Sequence, residues 1–166
     1  MIYIVMGVLA SGKTTIGSLL AEKLGYEFHD ADDFHPPSNR EKMGRGEALT
    51  DADRKPWIAA VRAVIEGMAA AGTDAVIACS ALREDYRKTL SKGRKDVVFI
   101  YIKGDYGMIK ERAERRKGHF VDPALLKSQF ETLEEPDNAV VVDAKKSSEE
   151  AVRDIIGELK NEGETR

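Results

Sequence analysis

The chain has 166 residues, 42% hydrophobic and 33% charged, with a formal net charge of −3. That is enough for one domain with a real core, and the acidic balance argues against a general nucleic-acid binder. The single cysteine, Cys79, excludes an intramolecular disulfide and fits a reducing compartment.

The apolar run Ile2–Met6 reads as a buried strand. Behind it comes Gly7-Val8-Leu9-Ala10-Ser11-Gly12-Lys13-Thr14, which fits G-x-x-x-x-G-K-[ST]. Ile16, Leu19, Leu20, Ala21 and Leu24 follow at helical spacing, and Gly25 stops the pattern, so a helix over 14–24 is expected. A strand before and a helix after are the context that makes this motif a phosphate-binding loop. Its glycines turn backbone N–H groups toward phosphate oxygens, and the helix N-terminus adds partial positive charge. Gly7 to Thr15 are the expected nucleotide-binding residues: Gly7, Val8, Leu9, Ala10, Ser11, Gly12, Lys13, Thr14 and Thr15. Lys13 would reach the β- and γ-phosphates, and Thr14 would hold Mg²⁺. No Asn-Lys-x-Asp guanine motif occurs, which favours ATP over GTP.

A second strand, Glu27–Asp30, runs into Asp30-Ala31-Asp32-Asp33. Three carboxylates so close repel one another unless cations offset them. Read as an extended segment, Asp30 and Asp32 face one side, and Asp33 faces away or caps the next turn. One of the pair can order water on Mg²⁺, and the other can take the proton of an attacking hydroxyl. The alternative is a capped loop with solvated acids. Residues 34–56 form an insertion rich in Pro, Asn, Gly and charge. A long amphipathic helix is expected over Asp53–Ala71, with Trp57 in the core rather than the site. Ala75–Cys79 is a third strand, with Cys79 a small buried hydrophobe. Then come a helix over Arg83–Lys92, a strand at Val97–Lys103 and a helix over Tyr106–Lys117.

That last helix carries Arg112, Arg115, Arg116 and Lys117, a basic patch in an acidic protein. Arg112 and Arg116 are four apart and share a helical face; Glu111 and Glu114 allow a salt-bridged exposed helix instead. A helix at Pro123–Leu133, a strand at Ala139–Asp143 and a helix at Ser148–Glu162 complete the chain, before a polar tail, Asn161–Arg166, expected to fray. Five strands alternating with helices imply an α/β fold with a mostly parallel sheet in a single domain spanning 1–166. The start MIYIVMGVLA has no basic residues before it and runs into the phosphate loop, and no stretch approaches a membrane span, so a cytoplasmic protein is expected.

The run from Asp30 to Trp57 resembles the signature segment of the small gluconate kinase family. The matching residues are Asp30-Ala31-Asp32, His35-Pro36, Asn39, Lys42-Met43, Gly46 and Asp53-Arg54-Lys55-Pro56-Trp57. Further matches are Cys79-Ser80-Ala81-Leu82, Arg115-Arg116-Lys117-Gly118-His119-Phe120 and Gln129-Phe130-Glu131-Thr132-Leu133-Glu134-Glu135-Pro136. Shikimate kinases share the fold and an Asp-x-Asp but lack the His-Pro and Pro-Trp segment. The resemblance implies a P-loop NTPase fold with a substrate-binding insertion at 34–56 and a lid at about 112–123. It implies transfer of the γ-phosphoryl of MgATP to the 6-hydroxyl of D-gluconate, and a homodimer. It implies His35, Lys42 and Arg54 as substrate contacts, with Arg83 and His119 as further candidates. On this reading Arg112 lies on the adenine and Arg116 reaches the transferring phosphate. Lys13 and Arg116 stabilise charge, Thr14 and Asp30 hold Mg²⁺, and Asp32 contacts the substrate and orients or deprotonates its hydroxyl. One departure is visible: Leu9 and Ala10 stand where the family loop usually has serine and glycine. If the loop needs positive φ at position 10, alanine is strained there.

Three rivals remain. The same chemistry on shikimate or a nucleoside monophosphate would be separated by the segment from His35 to Trp57. A nucleotide-binding regulator without catalysis is disfavoured by the intact Lys13, Thr14, Asp30 and Asp32. A nucleic-acid module built on the 112–117 patch is disfavoured by a pI of about 5.7 and by the lack of interleaved aromatics.

Overall fold

The computed structural model describes residues 1–116, 118 and 121–164, the side chains of 162–164 aside. Its centre is β1 (Ile2–Met6), buried at every residue. Tyr3 and Val5 join one hydrophobic cluster, with Ile16, Leu20, Ile109 and Ile155. Ile2, Ile4 and Met6 join another, with Trp57, Val61, Ile65 and Leu90. A strand covered on both faces cannot alternate polar with apolar, which is why this one reads as a continuous greasy run.

The elements follow in the order α1 (Lys13–Leu24), β2 (Glu27–Asp30), α2 (Pro37–Gly44), α3 (Asp51–Ala71), β3 (Ala75–Ala78) and α4 (Glu84–Ser91). After these come β4 (Val97–Lys103), α5 (Tyr106–Arg115), α6 (Pro123–Thr132), β5 (Val140–Asp143) and α7 (Ser148–Glu164). The strands form one sheet in the order β2-β3-β1-β4-β5, and every pairing is parallel. Parallel strands aim all their carboxyl ends the same way, so the loops after β1, β2 and β3 gather at one rim. In such sheets that rim is where ligands bind.

The expected strands and helices are present, with ends shifted by a residue or two, and a helix not expected, α2, lies inside segment 34–56. Some local expectations are corrected. The long helix expected from Asp53 begins, as α3, at Asp51. The earlier start comes from a capping box: Thr50 Oγ1 accepts from Asp53 N at 3.2 Å, and Asp53 Oδ2 accepts from Thr50 N at 2.8 Å. The acidic segment is not extended beyond Asp30. Ala31–Phe34 forms a 3₁₀ turn, capped by Asp30 Oδ1 accepting from Asp32 N at 3.0 Å, so strand alternation does not apply to Asp32. Finally, α5 stops at Arg115, and Arg116 follows in extended conformation (φ −70°, ψ 107°). Arg112 and Arg116 therefore do not share a helical face. The tail expected to fray continues α7 through Glu164.

Candidate active site

The loop between β1 and α1 is shaped by its glycines. A Cβ on Gly7 would lie 2.8 Å from Ser11 Oγ and 3.0 Å from the Ile102 carbonyl, so the loop can close only over glycine. Gly12 starts α1 at φ 104°, a conformation open to glycine. Ala10 sits at φ 61°, so the strain anticipated for alanine there is present. An L-residue pays about 1–2 kcal/mol for that region, partly offset by the extra unfolded-state freedom of glycine. Ala10→Gly is expected to stabilise the protein by up to ~1 kcal/mol and raise Tm by about 2–4 °C. A fall in Tm on thermal unfolding would contradict this.

Side chains then pin the loop from several elements. Lys13 Nζ donates to the Val8 carbonyl at 2.9 Å. Gln129, on α6, accepts from Leu9 N at 2.9 Å. Arg112, on α5, donates to the Ser11 carbonyl at 3.2 Å and to the Ala144 carbonyl at 2.5 Å. Ser11 Oγ, wholly buried in the loop, has no hydrogen-bond partner among the described residues. Thr14 Oγ1 donates to Asp30 Oδ2 at 2.9 Å, so the two residues singled out for a metal meet. Among the described residues no group of three or more His, Cys, Asp or Glu could hold a metal unaided. A hydroxyl and one carboxylate suit Mg²⁺, which keeps waters and draws its other ligands from phosphates.

Beside this loop opens a cavity. Lys13, Asp32, His35, Arg54, Ser80, Tyr86, Ser128 and Gln129 supply its polar lining, and Leu9, Met43, Leu49, Trp57, Leu82 and Leu125 its apolar lining. Five of the expected site residues (Leu9, Lys13, Asp32, His35 and Arg54) thus share one space. Burial holds the Lys13 amine below its usual range, against the attraction of Asp32. Burial, and then the Asp30 charge, push the Asp32 carboxyl above its usual range, while Lys13 opposes this. The Asp32 side chain itself still opens to the cavity, 73% exposed.

His35 is built into the wall. Its ring stacks on Trp57 at 4.2 Å and 14°, and Asn39 Nδ2 lies 3.2 Å from its Nδ1. Trp57 is core, as expected, and also lines the cavity. Its Nε1 donates to the buried Ala31 carbonyl at 2.7 Å, fixing the turn that carries Asp32. Trp57→Phe removes that bond and should cost about 0.5–1.5 kcal/mol. An unchanged denaturant midpoint would contradict this.

Other expected contacts lie elsewhere. Lys42 is tied to Asp53 at 2.8 Å, and this bond, with those from Thr50, holds the Asp53 carboxyl down to about 2. Arg83 pairs with Asp51 at 3.0 Å and lies 5.9 Å from the centre of the Tyr86 ring. Arg116 lines a neighbouring cavity with Leu9, Met43, Asp122 and Leu125, and its charge reaches Lys13. His119 and Lys117 lie outside the described residues. Sequence reading gave no role to Gln129, Tyr86, Ser80 or the buried Arg87. Arg87 donates to the carbonyls of Ala81 and Leu82 at 2.9 and 3.1 Å and holds the loop after β3. Asn39 and Gln129 both lay inside quoted motifs; Arg87 carried no signal.

Comparison with known proteins gives the family. The shikimate kinase family model matches residues 9–160. The thermoresistant gluconokinase of Escherichia coli (strain K12) is 42% identical over 163 residues, covering 96% of this chain and 93% of that protein. The chain belongs to the gluconokinase family. A probable gluconokinase of Xenopus tropicalis is 40% identical over 177 residues, covering 96% and 93%. The crystal structure of a gluconokinase from Sinorhizobium meliloti 1021 superposes with a TM-score of 0.88 at 38% identity, covering 98% and 93%. Shikimate kinase from Aquifex aeolicus, at 19% identity and a TM-score of 0.65, shares the fold. Like other members of the gluconokinase family, this chain is a P-loop kinase.

Proposed function

We propose that this chain transfers the γ-phosphoryl group of MgATP to the 6-hydroxyl of D-gluconate, giving 6-phospho-D-gluconate and ADP. The observation that carries the reading is the shared cavity. A nucleotide-loop lysine, a carboxylate of raised pKa, a neutral histidine and a largely buried arginine line one cavity. Arg54 is the cation for the substrate carboxylate, and Ser80, Tyr86, Ser128 and Gln129 offer hydrogen bonds to its hydroxyls.

In the step itself, the 6-oxygen forms a bond to the γ-phosphorus as the bond to the β–γ bridging oxygen breaks. The hydroxyl proton passes to Asp32, and the electron pair of the broken bond leaves on ADP. Lys13 would release the Val8 carbonyl and turn to the phosphates. Thr14 and Asp30 would hold Mg²⁺, which when bound neutralises phosphate charge. Residues 34–56 act as the substrate-binding insertion and about 112–123 as the lid, with Arg112 toward the adenine and Arg116 toward the γ-phosphate. Lys42 and His119 are contacts that closure of these segments would bring to the substrate, and Arg83, at the start of α4, is a further one. Excluding water in this way keeps the phosphoryl group from hydrolysis. The working assembly is a cytoplasmic homodimer, which gel filtration with light scattering tests.

ADP release from MgATP, with D-gluconate, other sugar acids, shikimate, nucleoside monophosphates or water alone as acceptor, tests the reading. Stimulation by gluconate alone is expected. Stimulation by shikimate or a nucleotide instead would keep the kinase and discard gluconate.

A further inference from the structure

Asn39 is buried, 3% exposed, on the short helix α2, and touches the cavity only through His35. Its amide nitrogen sits 2.8 Å from the Asp53 carbonyl oxygen and 3.2 Å from His35 Nδ1. A peptide carbonyl can only accept, so it decides which way the amide faces: the NH₂ end must point toward Asp53. Both amide protons are then committed, one to the Asp53 carbonyl and one to His35 Nδ1. An imidazole nitrogen that accepts carries no proton, so the ring's proton must sit on Nε2. Nε2 is the atom that faces Asp32, 3.7 Å from Oδ1.

The surroundings keep the ring in that form. Burial first, then the charges of Arg40 and Arg54, lower the His35 pKa to about 4, so the ring is neutral at neutral pH. Stacking on Trp57 fixes its plane. The Asp53 carbonyl is itself held in place, because Asp53 closes the capping box at the start of α3.

We infer that Asn39 is a positioning residue that locks His35 as the neutral Nε2–H tautomer, so that His35 presents a hydrogen-bond donor, not a base, to Asp32 and the acceptor hydroxyl. Asp32 is then left as the group that takes the proton. His35 steers the carboxylate and the hydroxyl into line. This rests on reading the cavity as the gluconate site, but the tautomer itself does not.

The test joins a spectroscopic and a kinetic arm. Imidazole ¹⁵N–¹H correlation spectra are recorded on the free protein, whose three histidines are sorted by the signals lost in His35→Gln. The expected result is a protonated Nε2 and an unprotonated Nδ1 at neutral pH. Asn39→Asp replaces the donor by an acceptor of nearly the same shape, and should draw the proton to Nδ1. With gluconate, kcat should then fall about 10–100-fold, less than where the base itself takes the wrong tautomer, while KM for ATP stays unchanged. His35→Gln, which keeps an N–H donor near the Nε2 position, should retain more turnover than His35→Ala. A proton on Nδ1 in the wild-type protein overturns the inference, whether or not any variant folds. So does Asn39→Asp with full turnover. A wild-type protein inactive on gluconate yet showing the Nε2–H ring would instead overturn the substrate reading and leave the lock standing.

Discussion

Replacing Asp32 by asparagine is expected to lower kcat with gluconate by about 10²–10⁴-fold, the range for loss of a general base. Asn keeps the shape and the turn: the backbone N–H of residue 32 still donates to Asp30, and Trp57 still holds the Ala31 carbonyl. What is lost is the group that accepts the proton. Calorimetric titration should therefore find ATP affinity within a few-fold of wild type. The pH profile carries a second signature. Burial and the Asp30 charge raise the Asp32 pKa, so the protonated, inactive form persists to higher pH than for an ordinary aspartate. The acid limb of kcat/KM for gluconate should therefore turn over above about 3.9, the ordinary value. That limb should vanish in Asp32→Asn along with the rate. Full kcat in the variant would remove Asp32 from the chemistry.

Replacing Arg116 by alanine is expected to cost about 10²–10³-fold in kcat, as when one preorganised charge partner is removed from a transition state. Gluconate KM should change little, because Arg116 lines the cavity next to that of Asp32 and Arg54, not the same one. Its position is set by the end of α5. Had the helix continued, residue 116 would sit one turn above Arg112. Instead the chain turns extended, and the Arg116 charge is felt at Lys13. Arg112→Ala should behave differently. Its guanidinium holds the Ser11 and Ala144 carbonyls together, so its loss should raise KM for ATP more than it lowers kcat. An unchanged kcat in Arg116→Ala would reduce this residue to a solvated charge at a helix end.

Much of this was legible in the residues. Buried parallel strands announce themselves as short apolar runs, and the phosphate loop is written in its glycines, lysine and threonine. The acids were legible as a cluster but not as a geometry. Alternation assumes an extended backbone, and Asp30 ends it by capping a 3₁₀ turn. Helix α2 has no apolar stripe to reveal it. It is held by Asn39 and by the Lys42–Asp53 pair, contacts between residues 11 and 14 apart that periodicity cannot see. The start of α3 was missed although its signal was present, Thr50 followed three residues later by Asp53. Gln129 reaches the loop across 120 residues of chain, and no local pattern encodes that contact. Trp57 shows why core and site are not exclusive: one face packs inward while the ring supports His35.

The most direct test of the central claim is the position of the phosphoryl group in the product. Gluconate incubated with MgATP and the protein is read by ³¹P and ¹³C spectra. The account predicts a single phosphomonoester whose phosphorus couples to the C6 methylene. A phosphoryl group on another carbon, or inorganic phosphate without any ester, would contradict it.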